Sequence, residues 1–268
     1  MGRAAGVLAG LILLLIAPCA RADTPFHNWA AVVVAGDWHA HSGKPSETFD
    51  NARRDVAATL EGFGFPHDAI RQYSVRPKRY PDTRPGKSEL ETIHAGLRDL
   101  AARNAAGCLF YISSHGAPEG VQLDQDIVPP QLLAAMIDDA CPSRPSIVVV
   151  SACFSGVFLP PLQRDDRMIL TAARADRASF GCGENDKYPY FDDCFLSSAQ
   201  TARDFLALGR AAQACVRRKE VETNAEPASE PQLWIGPDLR PLLPLYAFPQ
   251  PRLTSQAQAR GGSAKNRR

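Results

Sequence analysis

The chain has 268 residues, 30 of them basic and 29 acidic, with 45% hydrophobic residues. So even a balance leaves no overall field that would recruit nucleic acid or a membrane surface. The length suffices to bury a sizeable core in one large domain or two small ones.

The amino terminus reads Met1-Gly2-Arg3, then an apolar run from Ala4 to Ala17, then Ala20-Arg21-Ala22 as a small-x-small cleavage signal. This is the pattern of a secretory signal peptide over residues 1–22. The run falls short of the roughly 20 residues a spanning helix needs, so no stable membrane span is expected once the signal is removed. The mature protein is therefore expected on the periplasmic or extracellular side. Residues 23–248 are read as one α/β domain and 249–268 as a basic, solvated tail with no nucleic-acid role.

Six cysteines lie beyond the signal: Cys108, Cys141, Cys153, Cys182, Cys194 and Cys215. Export permits disulfides, and no C-x-x-C pair marks a zinc or thiol-exchange site. Cys108 with Cys141, and Cys182 with Cys194 or Cys215, are the candidate bridges.

Along the chain, short apolar runs alternate with helical stretches. Ala30–Ala35 (AAVVVA) predicts a strand covered on both faces, and Ser46–Phe63 a helix with Val56, Leu60 and Phe63 on one side. Ile70–Val75 is a weaker strand, and the proline- and glycine-bearing Arg76–Lys87 a loop. Ser88 with Glu91 reads as a capping box that opens a helix reaching Asn104. Strands follow at Cys108–Ser113, Ile147–Ser151 and Met168–Ala172, with a helix over Pro130–Ala140. Ala199–Glu222 is largely helical, and Pro231–Gly236 is the last candidate strand. This alternation predicts a mainly parallel sheet of about six strands with helices on both faces. In such sheets functional residues collect at the carboxyl ends of the strands.

Two of the most apolar strands end in reactive residues: CLFYISS is followed by His115-Gly116, and SIVVVSA by Cys153-Phe154-Ser155-Gly156. Parallel neighbours lie about 4.8 Å apart, so both residues would share one rim. The chemistry requires such a pair, because an unassisted thiol of pKa about 8.5 is mostly protonated at neutral pH. A nearby imidazole can take that proton and later return it to a leaving amine. The N–H groups of Gly116 and Cys153 are the candidate oxyanion hole. Ser155 lacks the G-x-S-x-G frame of a hydrolase nucleophile. His39 and His41, in Asp37-Trp-His-Ala-His, read as part of a rim loop beside the cleft and not as metal ligands.

The stretches Tyr111-Ile-Ser-Ser-His115-Gly and Val150-Ser-Ala-Cys153-Phe-Ser-Gly156 resemble the legumain family of cysteine peptidases, within the clan that also holds the caspases. Val33-Val-Ala-Gly36, Asp50-Asn-Ala-Arg-Arg-Asp55, Thr171-Ala-Ala173 and Ser179-Phe-Gly-Cys182 extend the likeness, which spans about Trp29 to Gly236. The resemblance implies a caspase-like three-layer sandwich, a Cys-His dyad, no metal and no organic cofactor. It implies a peptide or protein substrate, cleaved after a side chain held in a pocket. That pocket is formed by the start of the first helix, where Asn51, Arg53 or Arg54 stands, by Ser151 two before the nucleophile, and by the loop carrying Ser179 and Asp193. Legumains have an acidic residue at the position of Ser151, so asparagine is only one candidate preference, and a retained Asp193 could equally favour a basic side chain. Asp50 or Asn51 would orient His115. A transpeptidase using the same dyad and a catalytically idle binding scaffold are the alternatives.

Overall fold

The computed structural model describes residues 24–249. The expected signal peptide, and the basic tail beyond Pro249, lie outside them. In chain order, strand β1 covers Trp29–Ala35, helix α1 Thr48–Gly62, β2 Ile70–Ser74, β3 Gly86–Lys87 and α2 Leu90–Arg103. Then come β4 Gly107–Ser113, the short strands β5 Gly116–Ala117, β6 Gly120–Leu123 and β7 Asp126–Val128, and α3 Pro130–Ala140. The chain continues through β8 Ser146–Ser151, α4 Leu159–Leu162, β9 Arg167–Thr171, α5 Tyr190–Ala199, α6 Phe205–Thr223 and β10 Gln232–Ile235.

Seven strands form one sheet in the order β10-β9-β8-β4-β1-β2-β3, parallel throughout except for β10. The strand beyond the expected six is the two-residue edge β3, inside the stretch read as a loop. Side chains alternate across a strand. Ala31, Val33, Leu109, Tyr111, Ile147 and Val149 therefore face Val56, Leu60, Phe195 and Leu208 of α1, α5 and α6. Ala30, Val32, Phe110, Val148 and Val150 face Ile93, Leu97, Leu133 and Ile137 of α2 and α3. With helices on both sides, neither face of the central strands tolerates polarity, which is why they read as unbroken apolar runs.

Some boundaries differ from the sequence reading. Ser88 does not cap α2: its hydroxyl donates to the Ala35 carbonyl at 2.7 Å, and Glu89 takes the cap position without a side-chain bond. The bond satisfies a buried carbonyl at the end of β1, whereas the first turn of a helix that opens at the surface can use water. The helix expected over Ala199–Glu222 starts only at Phe205, where the Asp204 carboxylate accepts from the Ala207 N–H at 2.7 Å and opens α6, and Ala199 is the last residue of the separate helix α5. The antiparallel trio β5-β6-β7 was not foreseen, because its strands are too short to show a period.

Two bridges join described cysteines. Cys108–Cys141 is one of the pairs expected, and the second is Cys194–Cys215, tying α5 to α6. Cys182 pairs with neither of its candidates and, like Cys153, is a free thiol. Because Cys194 and Cys215 are 21 residues apart, replacing both with serine is expected to lower unfolding free energy by about 3 kcal/mol through the regained loop entropy. Urea denaturation of the variant against the parent protein measures this.

Candidate active site

The chain leaves β1 toward β2 on one side and returns through β4 and β8 on the other, so the order reverses beside β1. In open α/β sheets that reversal opens a crevice above the carboxyl ends of the strands. The ends of β1, β4 and β8 deliver His39, His115 and Cys153 to this edge. Ser113 pairs with Ser151 in the register of β4 and β8, and His115 and Cys153 each follow two residues later. The last backbone bond between these strands is Ser114 N–H to the Ser151 carbonyl at 3.0 Å, after which the chains turn away. Phe154, directly after the cysteine, adopts a left-handed conformation with φ 56°, a sharp turn that is unusual for a non-glycine residue.

Gly116 shows how closely the two turns approach. A Cβ built on it would lie 2.3 Å from the Cys153 carbonyl oxygen, so a side chain at this position would force the histidine and cysteine segments apart.

His115 is largely buried, and its ring meets Phe49 of α1 edge-on with centroids 4.9 Å apart. Its Nε2 lies 3.0 Å from the His39 carbonyl oxygen. A carbonyl only accepts, so Nε2 carries the hydrogen and the neutral ring keeps its lone pair on Nδ1. Burial lowers the His115 pKa below the ordinary histidine value, with the His39 carbonyl and Asp37 opposing that shift. The partner foreseen in Asp50 or Asn51 is thus a main-chain atom. Asp50 instead binds the buried Arg53 guanidinium at 2.8 Å and the Ser74 hydroxyl at 3.1 Å. The His39 turn is itself held by Asp37, whose carboxylate accepts from the Trp38 and His39 N–H groups and from the His39 ring.

The Cys153 sulfur is enclosed by Ser179, from the loop after β9. The Ser179 N–H donates to Sγ at 3.3 Å, and the Ser179 carbonyl and hydroxyl oxygens each lie 3.5 Å from it. Cys182 follows in the same loop. Burial, and then the neighbouring Cys153, push its thiol up to about 11, so it remains protonated at neutral pH. The hydroxyl of Ser155 accepts from the Ala173 N–H at 3.0 Å and is fully buried, a structural use consistent with its exclusion as a nucleophile.

The four residues assigned to a substrate pocket separate here. Ser179 touches the cysteine. Asn51 donates to the Lys187 carbonyl at 3.1 Å and accepts from Arg54 at 2.6 Å, joining α1 to the loop after β9. Asp193 is half-exposed and paired with Lys219 of α6 at 2.5 Å. Ser151 is only 2% exposed, and its hydroxyl donates to the adjacent acid, Asp192, at 2.8 Å. Asp192 was not singled out from the sequence, although it lies on the apolar face of α5 with Phe191 and Phe195. It also accepts from Ser113 at 2.8 Å and from the Tyr111 phenol.

Residues 75–217, more than half of the chain, match the model of the Peptidase C13 family. The chain belongs to this family. The C13 membership supports a function of the cysteine-peptidase type and agrees with the legumain resemblance carried by the His-Gly and Ala-Cys-Phe-Ser-Gly stretches. The crystal structure of Caspase-1 from Spodoptera frugiperda is similar with a TM-score of 0.54 at 17% identity, covering 85% of this chain and 94% of that one. At that identity the likeness shows the fold, which is caspase-like. No curated protein matches the chain.

Burial pushes the Asp192 carboxyl up to about 6 against the hydroxyl bonds that pull it down. An acid whose folded pKa is raised favours the folded state most where it is protonated, and that contribution is lost as pH rises from the unfolded value through about 6. The shift corresponds to about 3 kcal/mol. Asp192→Asn is therefore expected to flatten the stability profile between about pH 4 and pH 7, read by denaturant titration across that range.

Proposed function

We propose that this C13 protein is a cysteine endopeptidase in which Cys153 is the nucleophile and His115 its proton-transfer partner. The observation that carries the reading is the in-register pairing of β4 and β8, with Gly116 seated against the Cys153 carbonyl, which delivers both side chains to one rim.

The chemistry follows from the tautomer. With Nε2–H committed to the His39 carbonyl, Nδ1 takes the thiol proton as sulfur attacks the scissile carbonyl. The new C–S bond places negative charge on the former carbonyl oxygen, which the N–H groups of Gly116 and Cys153 receive. The imidazolium returns the proton to the departing amine, the C–N bond breaks, and a thioester on Cys153 remains. Water, deprotonated by the same ring, then attacks the thioester and releases the carboxylate and the thiol. The Ser179 N–H directed at Sγ supports the negative charge that builds on sulfur as its proton leaves and again as the thioester C–S bond breaks.

Two disulfides in the described domain fit an oxidising compartment, which supports the reading of residues 1–22 as an export signal. Cleavage of a random peptide library by the protein tests the activity. Cys153→Ala is expected to abolish turnover, and His115→Ala to lower kcat/KM by about 10²–10⁴. Turnover persisting in Cys153→Ala refutes the proposal. Since burial holds His115 below the usual histidine value, the base stays deprotonated to lower pH than a free imidazole. The acid limb of kcat/KM is accordingly expected below about pH 6.5, and a limb above that value contradicts this assignment of the base.

A further inference from the structure

We infer that Asp192 is a positioning residue, which fixes the gap between His115 and Cys153 by pinning the ends of the two strands that carry them. The inference rests on the dyad reading above and adds a residue that the sequence resemblance did not supply.

One carboxylate oxygen, Oδ2, accepts from both Ser113 and Ser151, each at 2.8 Å. These two serines are register partners on the last paired positions of β4 and β8. The clamp lies two residues before His115 and Cys153, on the face covered by α1 and α5, where the His115 ring also meets Phe49. Beyond it the strands lose their mutual backbone bonds, so little else in the ladder holds His115 and Cys153 at a set distance. The other oxygen, Oδ1, accepts from Tyr111, two residues further down β4. The helix that brings the acid is itself anchored, by Phe191 and Phe195 in the core and by the Cys194–Cys215 bridge.

A direct part in reading substrate is the competing use of such an acid. The geometry argues against it: Asp192 and Ser113 are 0% exposed and Ser151 2%, and both carboxylate oxygens are occupied by hydroxyls of the protein itself. Nor does Asp192 hold the imidazole directly, since His115 Nε2 is engaged by the His39 carbonyl. What remains is control of spacing. Asparagine at this position presents an amide in place of one accepting oxygen and cannot receive all three hydroxyl donors.

The experiment is iodoacetamide alkylation of the full chain from pH 5 to pH 10, with Cys153 and Cys182 followed separately by peptide mass mapping. His115→Ala is the reference and is expected to slow Cys153 alkylation at pH 7, which tests the dyad by itself. Asp192→Asn and the double variant Ser113→Ala/Ser151→Ala are each expected to slow Cys153 alkylation at pH 7 about tenfold while leaving that of Cys182 unchanged. A purely structural role would lower the melting temperature without slowing Cys153 selectively in the folded protein. If His115→Ala slows alkylation while either folded clamp variant keeps the parent profile, the inference is overturned and the dyad stands. If His115→Ala changes nothing, the dyad reading itself fails. Should Asp192→Asn not fold, the double serine variant, which leaves the carboxylate in place, still decides between the outcomes.

Discussion

The parallel pairing of β4 with β8 is the constraint on which the rest of the molecule depends. Each strand is short and apolar, and each ends in a serine before turning out of the sheet. Their register fixes which residues leave the sheet side by side. A slip by one residue would send every side chain of β8 to the opposite face and take Cys153 away from the edge where His115 emerges. The apolar packing of α1, α5 and α6 on one face and α2 and α3 on the other makes such a slip costly, because it would expose Val149 and Ile147 to the wrong neighbours. Thus the layers on both sides of the sheet also maintain the alignment of its rim.

Polar groups inside this frame are few and joined in sets. Arg53 is buried with Asp50, and the buried Arg167 meets the partly exposed Asp138 and the Ser146 hydroxyl, so each guanidinium taken from water meets an opposite charge. Asp192 differs in having only hydroxyl donors. Three of them satisfy its oxygens without cancelling its charge, and burial dominates its titration as a result. Below the rim, therefore, lies a carboxylate that favours protonation, and above it a histidine that resists it.

Much of this arrangement was legible in the sequence because it depends on long apolar runs. The runs ending at Ser113 and Ser151 announce buried parallel strands, and the His-Gly and Cys-Phe-Ser-Gly that follow mark the rim. Other features rest on contacts between distant segments and leave a weaker trace. The adjacent acids Asp192 and Asp193 look alike in a linear reading. Only the phase of α5, with Phe191, Asp192 and Phe195 turned inward, tells the buried one from its partly exposed neighbour. That phase was available, but no helix was assigned there. Ser88 misled in the opposite way: its spacing to Glu91 is a sound cap signal, but tertiary demand from the Ala35 carbonyl takes its hydroxyl. The partner of His115 left no side-chain signal at all, since it is a carbonyl of the backbone.

That last feature bears on how the protein can vary through its lineage. An acceptor supplied by the peptide unit survives any amino-acid exchange at position 39, provided the turn keeps its course. The identity of the residue there is thereby released from the duty of steering the imidazole, and constraint passes to Asp37, whose carboxylate shapes that turn. Apart from Asp37, the turn after β1 is accordingly free to drift in its side chains, and hence in what it offers an incoming chain, while the geometry behind it stays constant.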